Sequence, residues 1–318
     1  MATIGIDLGG TNIAVGVVDE QGNILGRATA KTRAQRPVSE IIRDMAATAR
    51  QAVENAGLSM DDIEAVGVAA PGSVNPETGV IEYANNIGFQ NTPVGPELQK
   101  LLNIPVTLGN DANLAAYGEL MAGAGKEVDT MIAVTLGTGV GGGIIIDRKI
   151  YTGFNFVGAE LGHLIIVENG ELCTCGTRGC WEAYASASAL IRQTKAAMKQ
   201  HPDSKMWELC GGSEDSASGR TAFDAMRAGD AAGREVVDRY IDHIATGIIS
   251  IINIFQPELI CIGGGICNEG ETLMAPLREK VFGSVYNRSS DKSRQTRLVR
   301  ASLGNDAGII GAAMAGKI

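Results

Sequence analysis

The sequence is short of aromatic rings, of histidine and of positive charge, and each shortage narrows what the chain can do. Aromatic residues make up 4% of its 318 residues, so the core must be packed from aliphatic side chains, which a hydrophobic content of 45% supplies. Lysine and arginine number 27 against 36 acidic residues, a net charge of −9. A nucleic-acid-binding face needs a basic patch that displaces counterions, so no nucleic-acid partner is expected. Long apolar runs are missing too. The least charged long segment, residues 244–257, falls short of the roughly 20 residues that span a bilayer and reads as a buried helix stopped by Pro257. No membrane partner is expected. The first apolar run begins almost at Met1, with no basic n-region ahead of it, which points to the cytoplasm. The reducing poise there keeps cysteines as thiols. Also absent are G-x-x-x-x-G-K-S/T and the protein-kinase motif set, which disfavours P-loop and protein-kinase machinery.

Histidines number only three and cysteines six, yet residues 158–182 hold His163, Cys173, Cys175 and Cys180, bracketed by Glu160 and Glu182. One imidazole with three thiolates is the ligand set of a closed, tetrahedral structural Zn²⁺ site. Small apolar cysteines in a core are a competing reading, but these are interleaved with Gly, Thr and Arg. A disulfide is another, for which Cys173 and Cys175 are too close in sequence.

Glycine, by contrast, is plentiful at 42 residues, and it collects at the ends of apolar segments. Residues 3–6 read as a strand, followed by Asp7-Leu8-Gly9-Gly10-Thr11 and an apolar strand over 13–18. A dinucleotide-binding turn would lead into a helix instead. The N–H groups of Gly10, Thr11 and Asn12 can form a concave anion nest, and Asp7 at the strand end can hold Mg²⁺ or its waters. An ordinary hairpin with a capping Asp is the plainer alternative. Strand 132–136, the run Gly137-Thr138-Gly139-Val140-Gly141-Gly142-Gly143 and strand 144–146 repeat the opening pattern. Two copies suggest a duplicated αβ unit whose turns grip one polyphosphate. A third glycine turn, Gly263-Gly264-Gly265, follows strand 259–262. Ligands of open α/β sheets gather beyond such strand ends, so a nucleobase or ribose fits there.

Residues 38–56 carry apolar positions at helical spacing. Strand 65–69 then ends at Pro71-Gly72, whose backbone can lie against a substrate, and Asn85 and Asn86 sit in a polar loop. Strand 106–108 runs into Gly109-Asn110-Asp111, ahead of a helix over 114–121. Asp111 is either a plain N-cap or a carboxylate that takes a proton from a hydroxyl. Its pairing with Asn110 in a glycine-rich chain favours the second. Residues 201–220 read as a polar surface excursion, and 304–315 as a small-residue helix suited to close packing at a domain junction. The glycine turns and Asp7 propose a nucleoside triphosphate with Mg²⁺. Asn86, Asn110, Asp111, Glu160, Glu182 and the non-metal nitrogen of His163 suit a polyol or sugar. The implied reaction is phosphoryl transfer to a hydroxyl.

Over essentially its whole length the chain resembles the ROK family of repressors and sugar kinases, in particular its bacterial ATP-dependent glucokinases. The motifs that carry the likeness are Asp7-Leu8-Gly9-Gly10-Thr11, Gly109-Asn110-Asp111, Leu136-Gly137-Thr138-Gly139-Val140-Gly141-Gly142, Gly158-Ala159-Glu160-Leu161-Gly162-His163 and Cys173-Thr174-Cys175-Gly176-Thr177-Arg178-Gly179-Cys180-Trp181-Glu182. The resemblance implies an α/β fold of two domains, actin-like and hexokinase-like, built from duplicated RNase H-like units. The small domain is expected over 1–118 plus 303–318 and the large one over 119–302. It implies that His163, Cys173, Cys175 and Cys180 bind zinc. It implies that Asn86, Asn110, Asp111, Glu160, His163 and Glu182, with Gly72 nearby, contact the sugar, and that Asp111 is the base for its 6-hydroxyl. Asp7, Gly9, Gly10, Thr11, Asn12, Gly137, Thr138, Gly139, Gly264 and Gly265 are expected to serve ATP and Mg²⁺. Glucose is the expected substrate, with another hexose or an N-acetylhexosamine as the alternative; Phe89 stands where some relatives carry Trp. The resemblance also implies a homodimer or homotetramer. The family's repressors carry a helix-turn-helix ahead of the first phosphate-binding strand, which here starts within the first few residues, so a kinase is expected rather than a regulator.

Overall fold

Near-continuous apolar runs at the amino terminus produce strands buried on both faces. The computed structural model, which describes residues 1–287 and 291–317, arranges them as β1 (Ala2–Leu8), β2 (Asn12–Val18), β3 (Ile24–Lys31) and β4 (Ile63–Ala70). A small antiparallel sheet follows, β5 (Ser73–Asn75), β6 (Val80–Ala84) and β7 (Phe89–Thr92), and then β8 (Val106–Asn110). The five-stranded sheet has the order β3-β2-β1-β4-β8. β1 pairs antiparallel with β2 and parallel with β4, which pairs parallel with β8.

The crossover from β3 to β4 is helix α1 (Val38–Asn55), which buries Ile41, Ile42, Met45, Ala49, Ala52 and Val53. These are positions that the helical spacing predicts, and each large apolar side chain so buried contributes about 1.5–3 kcal/mol. Helix α2 (Val94–Leu102) precedes β8, and α3 (Asp111–Ala122) follows it. Phe89 is 1% exposed and belongs to this unit's core.

A second five-stranded sheet repeats the plan. Its strands β9 (Met131–Leu136), β10 (Val140–Ile146), β11 (Lys149–Tyr151), β12 (Leu259–Gly263) and β13 (Arg297–Arg300) have the order β11-β10-β9-β12-β13. β10 and β11 are antiparallel, and β12 and β13 parallel. The order matches that of the first sheet position for position, which is the duplication that the two glycine-turn motifs announce. The glycine run differs from its reading in one respect. The turn ends at Gly139, and Val140 through Gly143 are strand. Gly143 serves packing, because a Cβ there would lie 2.5 Å from the Cβ of Ala116 on α3.

Helices α4 (Glu182–Ala185), α5 (Ala187–Gln200), α6 (Lys205–Leu209), α7 (Thr221–Arg227), α8 (Ala231–Phe255) and α9 (Glu271–Ser284) fill the remaining length. α8 buries Ile241, Ile244, Ile248, Ile251 and Ile252, so the apolar segment is a core helix. Among the described residues no helix is long and apolar enough to cross a membrane. Residues 201–220 are more than a surface excursion. α6 sinks Met206 into the core, Cys210 just past its end is buried too, and Asp230, the N-cap of α8, accepts from Ser204 Oγ at 3.1 Å and Lys205 N at 2.8 Å. α9 has no clear sequence signal because Pro276 sits inside it.

Contact density divides the chain into two units, Met1–Ala133 with Gly142–Ala159 and Ala301–Ile318, and Val134–Gly141 with Glu160–Arg300. The boundary expected after residue 118 falls inside α3, where Glu119 accepts from Ser302 N at 2.9 Å and Leu303 N at 2.7 Å. The carboxy-terminal helix α10 (Ala307–Ala315) belongs to the first unit, where its small residues pack against α3, β1 and β4. A Cβ on Gly67 of β4 would lie 1.7 Å from Ala312 O, so helix backbone rests directly on strand backbone.

Candidate active site

In the first unit, the turn after β1 is tied from behind. Gly9 N donates to Asn12 O at 2.9 Å, Thr32 N to Thr11 O at 2.9 Å, and Thr32 Oγ1 to Gly9 O at 2.6 Å. Both bonds from Thr32, which is fully buried, fall on carbonyls, so neither consumes an N–H of the turn. Lys31 Nζ donates to Asn12 Oδ1 at 2.8 Å and brings a cation beside it. The backbone O and Cβ of Asn86 lie 3.4 and 3.7 Å from where a Cβ of Gly10 would be, so Asn86 flanks this turn. Thr32 has no sequence signature: a threonine just past a strand looks like any other.

The junction of β8 and α3 divides labour between two neighbours. Asn110 Oδ1 accepts from Ala112 N at 3.0 Å and Asn113 N at 3.1 Å, and its Nδ2 donates to Gly72 O at 3.1 Å. Gly72 holds φ 84°, and a Cβ there would lie 2.1 Å from Tyr83 O, so glycine is required to present that carbonyl. Asn110 is therefore the N-cap. Asp111 is the first helical residue, its Oδ1 accepting from Ala112 N at 2.8 Å, and capping does not account for it. Burial pushes the Asp111 carboxyl above its ordinary value, against the pull of backbone N–H groups. Asp7, half-buried at the end of β1, is pushed to about 6 by burial first and then by the charge of Asp111. A buried carboxylate whose ionisation is opposed by a neighbouring carboxylate favours a cation beside it.

In the second unit, His163, Cys173, Cys175 and Cys180 place one ligand atom each within 4.8 Å of all the others. Cys173 Sγ lies 3.7 Å from His163 Nδ1, and Cys175 Sγ lies 3.7 Å from Cys180 Sγ. A tetrahedron with Zn–S bonds of about 2.3 Å has edges of about 3.8 Å, so the donor set fits zinc. A disulfide at about 2.04 Å does not fit; all three cysteines are free. Because Nδ1 faces the sulfurs, Nε2 is the nitrogen left for another partner. The bridges Ile165↔Cys180 and Leu172↔Arg178 shape the loop. Trp181 anchors it: fully buried, with Nε1 donating to His243 O at 2.8 Å, it lies against α8 where a Cβ on Gly247 would come within 2.1 Å of the indole.

The loop reaches the second glycine turn through Glu182. Its Oε2 accepts from Val140 N at 3.0 Å, and its Oε1 from Thr174 Oγ1 at 2.9 Å. The turn closes on itself, Gly137 N to Gly139 O at 3.0 Å, much as Gly9 closes on Asn12, and Ala187 N donates to Gly137 O at 2.8 Å. The third turn joins it, since a Cβ on Gly264, at φ 96°, would lie 2.2 Å from Leu136 O. Gly265 begins a short 3₁₀ segment, Gly265–Glu269. Glu160 is exposed, and its carbonyl accepts from His163 N at 3.1 Å. Ala159 before it is held at φ 68°, a strained setting for a residue with a Cβ. Thr174, like Thr32, gives no sign in the sequence of what it bonds.

Known proteins resemble this chain along its whole length. The chain is 39% identical to a glucokinase from Thermotoga maritima, covering 98% of this chain and 95% of that one. It is 37% identical to a glucokinase from Streptomyces coelicolor, covering 98% and 96%. The solved structure of a ROK family glucokinase from Streptomyces griseus, in complex with glucose and AMPPNP, superposes with a TM-score of 0.82 at 36% identity, over 100% of this chain and 99% of that one. Such neighbours have the two-domain actin-like, hexokinase-like ATPase fold, whose duplicated units are the two matching sheets. With residues 3–317 matching the family's signature from end to end, the chain belongs to the ROK family.

Proposed function

We propose that the protein is an ATP-dependent hexose kinase that phosphorylates glucose at its 6-hydroxyl, with Asp111 as general base. The observation that carries this reading is the division at the β8–α3 junction. Asn110 takes the capping role, which leaves Asp111 as a carboxylate of raised basicity with no structural duty that requires its charge. A base tuned towards the working pH is the more effective one. Relatives at 37–39% identity that are glucokinases supply the substrate class.

The sugar's 6-hydroxyl gives its proton to Asp111 as its oxygen attacks the γ-phosphorus of ATP in line, and the bond to the leaving ADP oxygen breaks. Phosphoryl transfer relies mainly on positioning and charge stabilisation. That falls to the N–H groups of Gly10, Thr11 and Asn12 and of Thr138 and Gly139, with the N–H groups of Gly9 and Gly137 closing the two turns and Gly264 and Gly265 serving the nucleoside. Asp7 would hold Mg²⁺ or its waters, and the ion, when bound, neutralises the phosphate charge. Asn86, Asn110, Glu160, His163 through Nε2, Glu182 and the backbone of Gly72 orient the sugar. His163, Cys173, Cys175 and Cys180 would hold Zn²⁺, which would supply structure rather than chemistry by fixing His163 and Glu182 in place. Ranking glucose, mannose, fructose, allose, N-acetylglucosamine and N-acetylmannosamine by kcat/KM tests the substrate. Glucose is expected first, and an N-acetylhexosamine in first place would overturn that choice.

Two further outcomes are expected in the first unit. Thr32→Val keeps the shape but loses the bond to Gly9 O, so the KM for ATP is expected to rise about three- to tenfold with sugar KM unchanged, as read in steady-state kinetics. Asp7→Asn is expected to abolish turnover yet to stabilise the fold. Above pH 6 Asp7 is charged in both folded and unfolded chains, and folding bears the cost of burying that charge. Below its ordinary value of 3.8 it is protonated in both, and the cost is gone. In Mg²⁺-free buffer the variant should therefore be more stable than wild type at pH 8 by about 1–3 kcal/mol. Urea unfolding should show that gain shrinking as pH falls from about 6 to about 4.

A further inference from the structure

We propose that Thr174 is a positioning residue for sugar binding, which sets the Glu182 carboxylate through its hydroxyl; the proposal rests on the hexose-kinase reading above. Glu182 is held at both oxygens by two different segments. Thr174 Oγ1 donates to Oε1 at 2.9 Å, and Val140 N donates to Oε2 at 3.0 Å. Gly139 leaves room for the second contact, because a Cβ there would come within 2.2 Å of Oε2. One carboxylate thus ties the metal-binding loop to the phosphate turn within the second unit.

The Thr174 contact matters more with metal in place than without it. Cys173 Sγ lies 3.5 Å from the same Oε1. As a thiol it donates a weak hydrogen bond; as a metal-bound thiolate it has no proton to give. The Thr174 hydroxyl is then the donor that holds Oε1. Threonine suits the task, since its branched Cβ restricts χ1, so the acceptor is oriented before a sugar hydroxyl reaches its remaining lone pairs. Thr174 lies between two ligand cysteines but is exposed and is not itself among the metal-binding set.

Thr174→Val keeps the side chain's shape and removes the hydroxyl, and Thr174→Ser keeps the hydroxyl. The valine variant is expected to raise the KM for glucose about five- to tenfold, the value of one hydrogen bond to a charged group near the surface. Its KM for ATP should stay within about twofold of wild type, since the lost interaction is on the sugar side. Serine should restore most of the sugar affinity, and zinc content and Tm should match wild type in both. An unchanged glucose KM in Thr174→Val, no recovery in Thr174→Ser, or a zinc content that falls in step with affinity would each overturn the proposal. Wild-type turnover, measured first on the sugar panel, reports separately on the kinase reading. If another hexose is the substrate, the same comparison is made on that sugar, and if no sugar is turned over both ideas fail.

Discussion

Asp111→Asn should reduce kcat by about 10²–10⁴-fold, the usual worth of a positioned base, while sugar binding survives. The substitution is chosen to spare the fold. Asn110 remains the N-cap of α3, and the new side chain keeps an oxygen that can accept from Ala112 N as Asp111 Oδ1 does. What disappears is the charge, and with it the capacity to take a proton from the 6-hydroxyl. Removing that charge also removes one of the two causes that raise Asp7, so the Asp7 carboxyl should titrate closer to its ordinary value. NMR titration of the side-chain carboxyls checks this independently of activity. Stopped-flow or calorimetric sugar binding should show a Kd within a few-fold of wild type. A variant that turns over within tenfold of wild type would remove Asp111 from its role.

Loss of zinc is the second large effect, and it should damage stability and sugar affinity together. Cys175→Ala is the informative substitution because Cys175 is exposed, whereas Cys173 and Cys180 are buried. Its loss leaves no cavity in the core, so any change in the variant is attributable to the metal. Without the ion, the His163 imidazole loses its bond at Nδ1, and Oε1 of Glu182 faces a loop that has lost its knot. Stability should fall by about 3 kcal/mol or more, as when a structural metal is lost, and the sugar KM should rise at least about tenfold. The KM for ATP should move less. A chelator should reproduce both changes in wild type and add nothing to Cys175→Ala. Metal-free protein with an unaltered sugar KM and melting temperature would make the cluster incidental to the site.

The sequence shows the parts of this site more clearly than the ways they are held. The candidate zinc ligands are legible because Cys and His are scarce and four of them fall together, and the structure brings their donor atoms within 4.8 Å of one another. The duplicated sheet is legible because each copy carries its own glycine turn between two apolar strands. Asn110 and Asp111 are legible as a pair, but not which of them caps α3, since both residue types cap well. The supports were illegible for a physical reason. Thr32 and Thr174 act through single hydroxyls whose partners lie far away in the chain or across the cysteine-bearing loop. Short elements were missed for a different reason. α6 has one fully buried anchor, Met206, too little for a period to show, and Pro276 disguises α9.

The most direct measurement tracks the phosphoryl group itself. Protein incubated with MgATP and glucose, and monitored by ³¹P NMR with a parallel assay for ADP, should give one ADP per sugar phosphate, with phosphorus coupled to the C6 protons. No product should form when glucose is omitted or when Asp111→Asn replaces wild type. ADP released without glucose 6-phosphate, or phosphate on any other hydroxyl, would contradict the account.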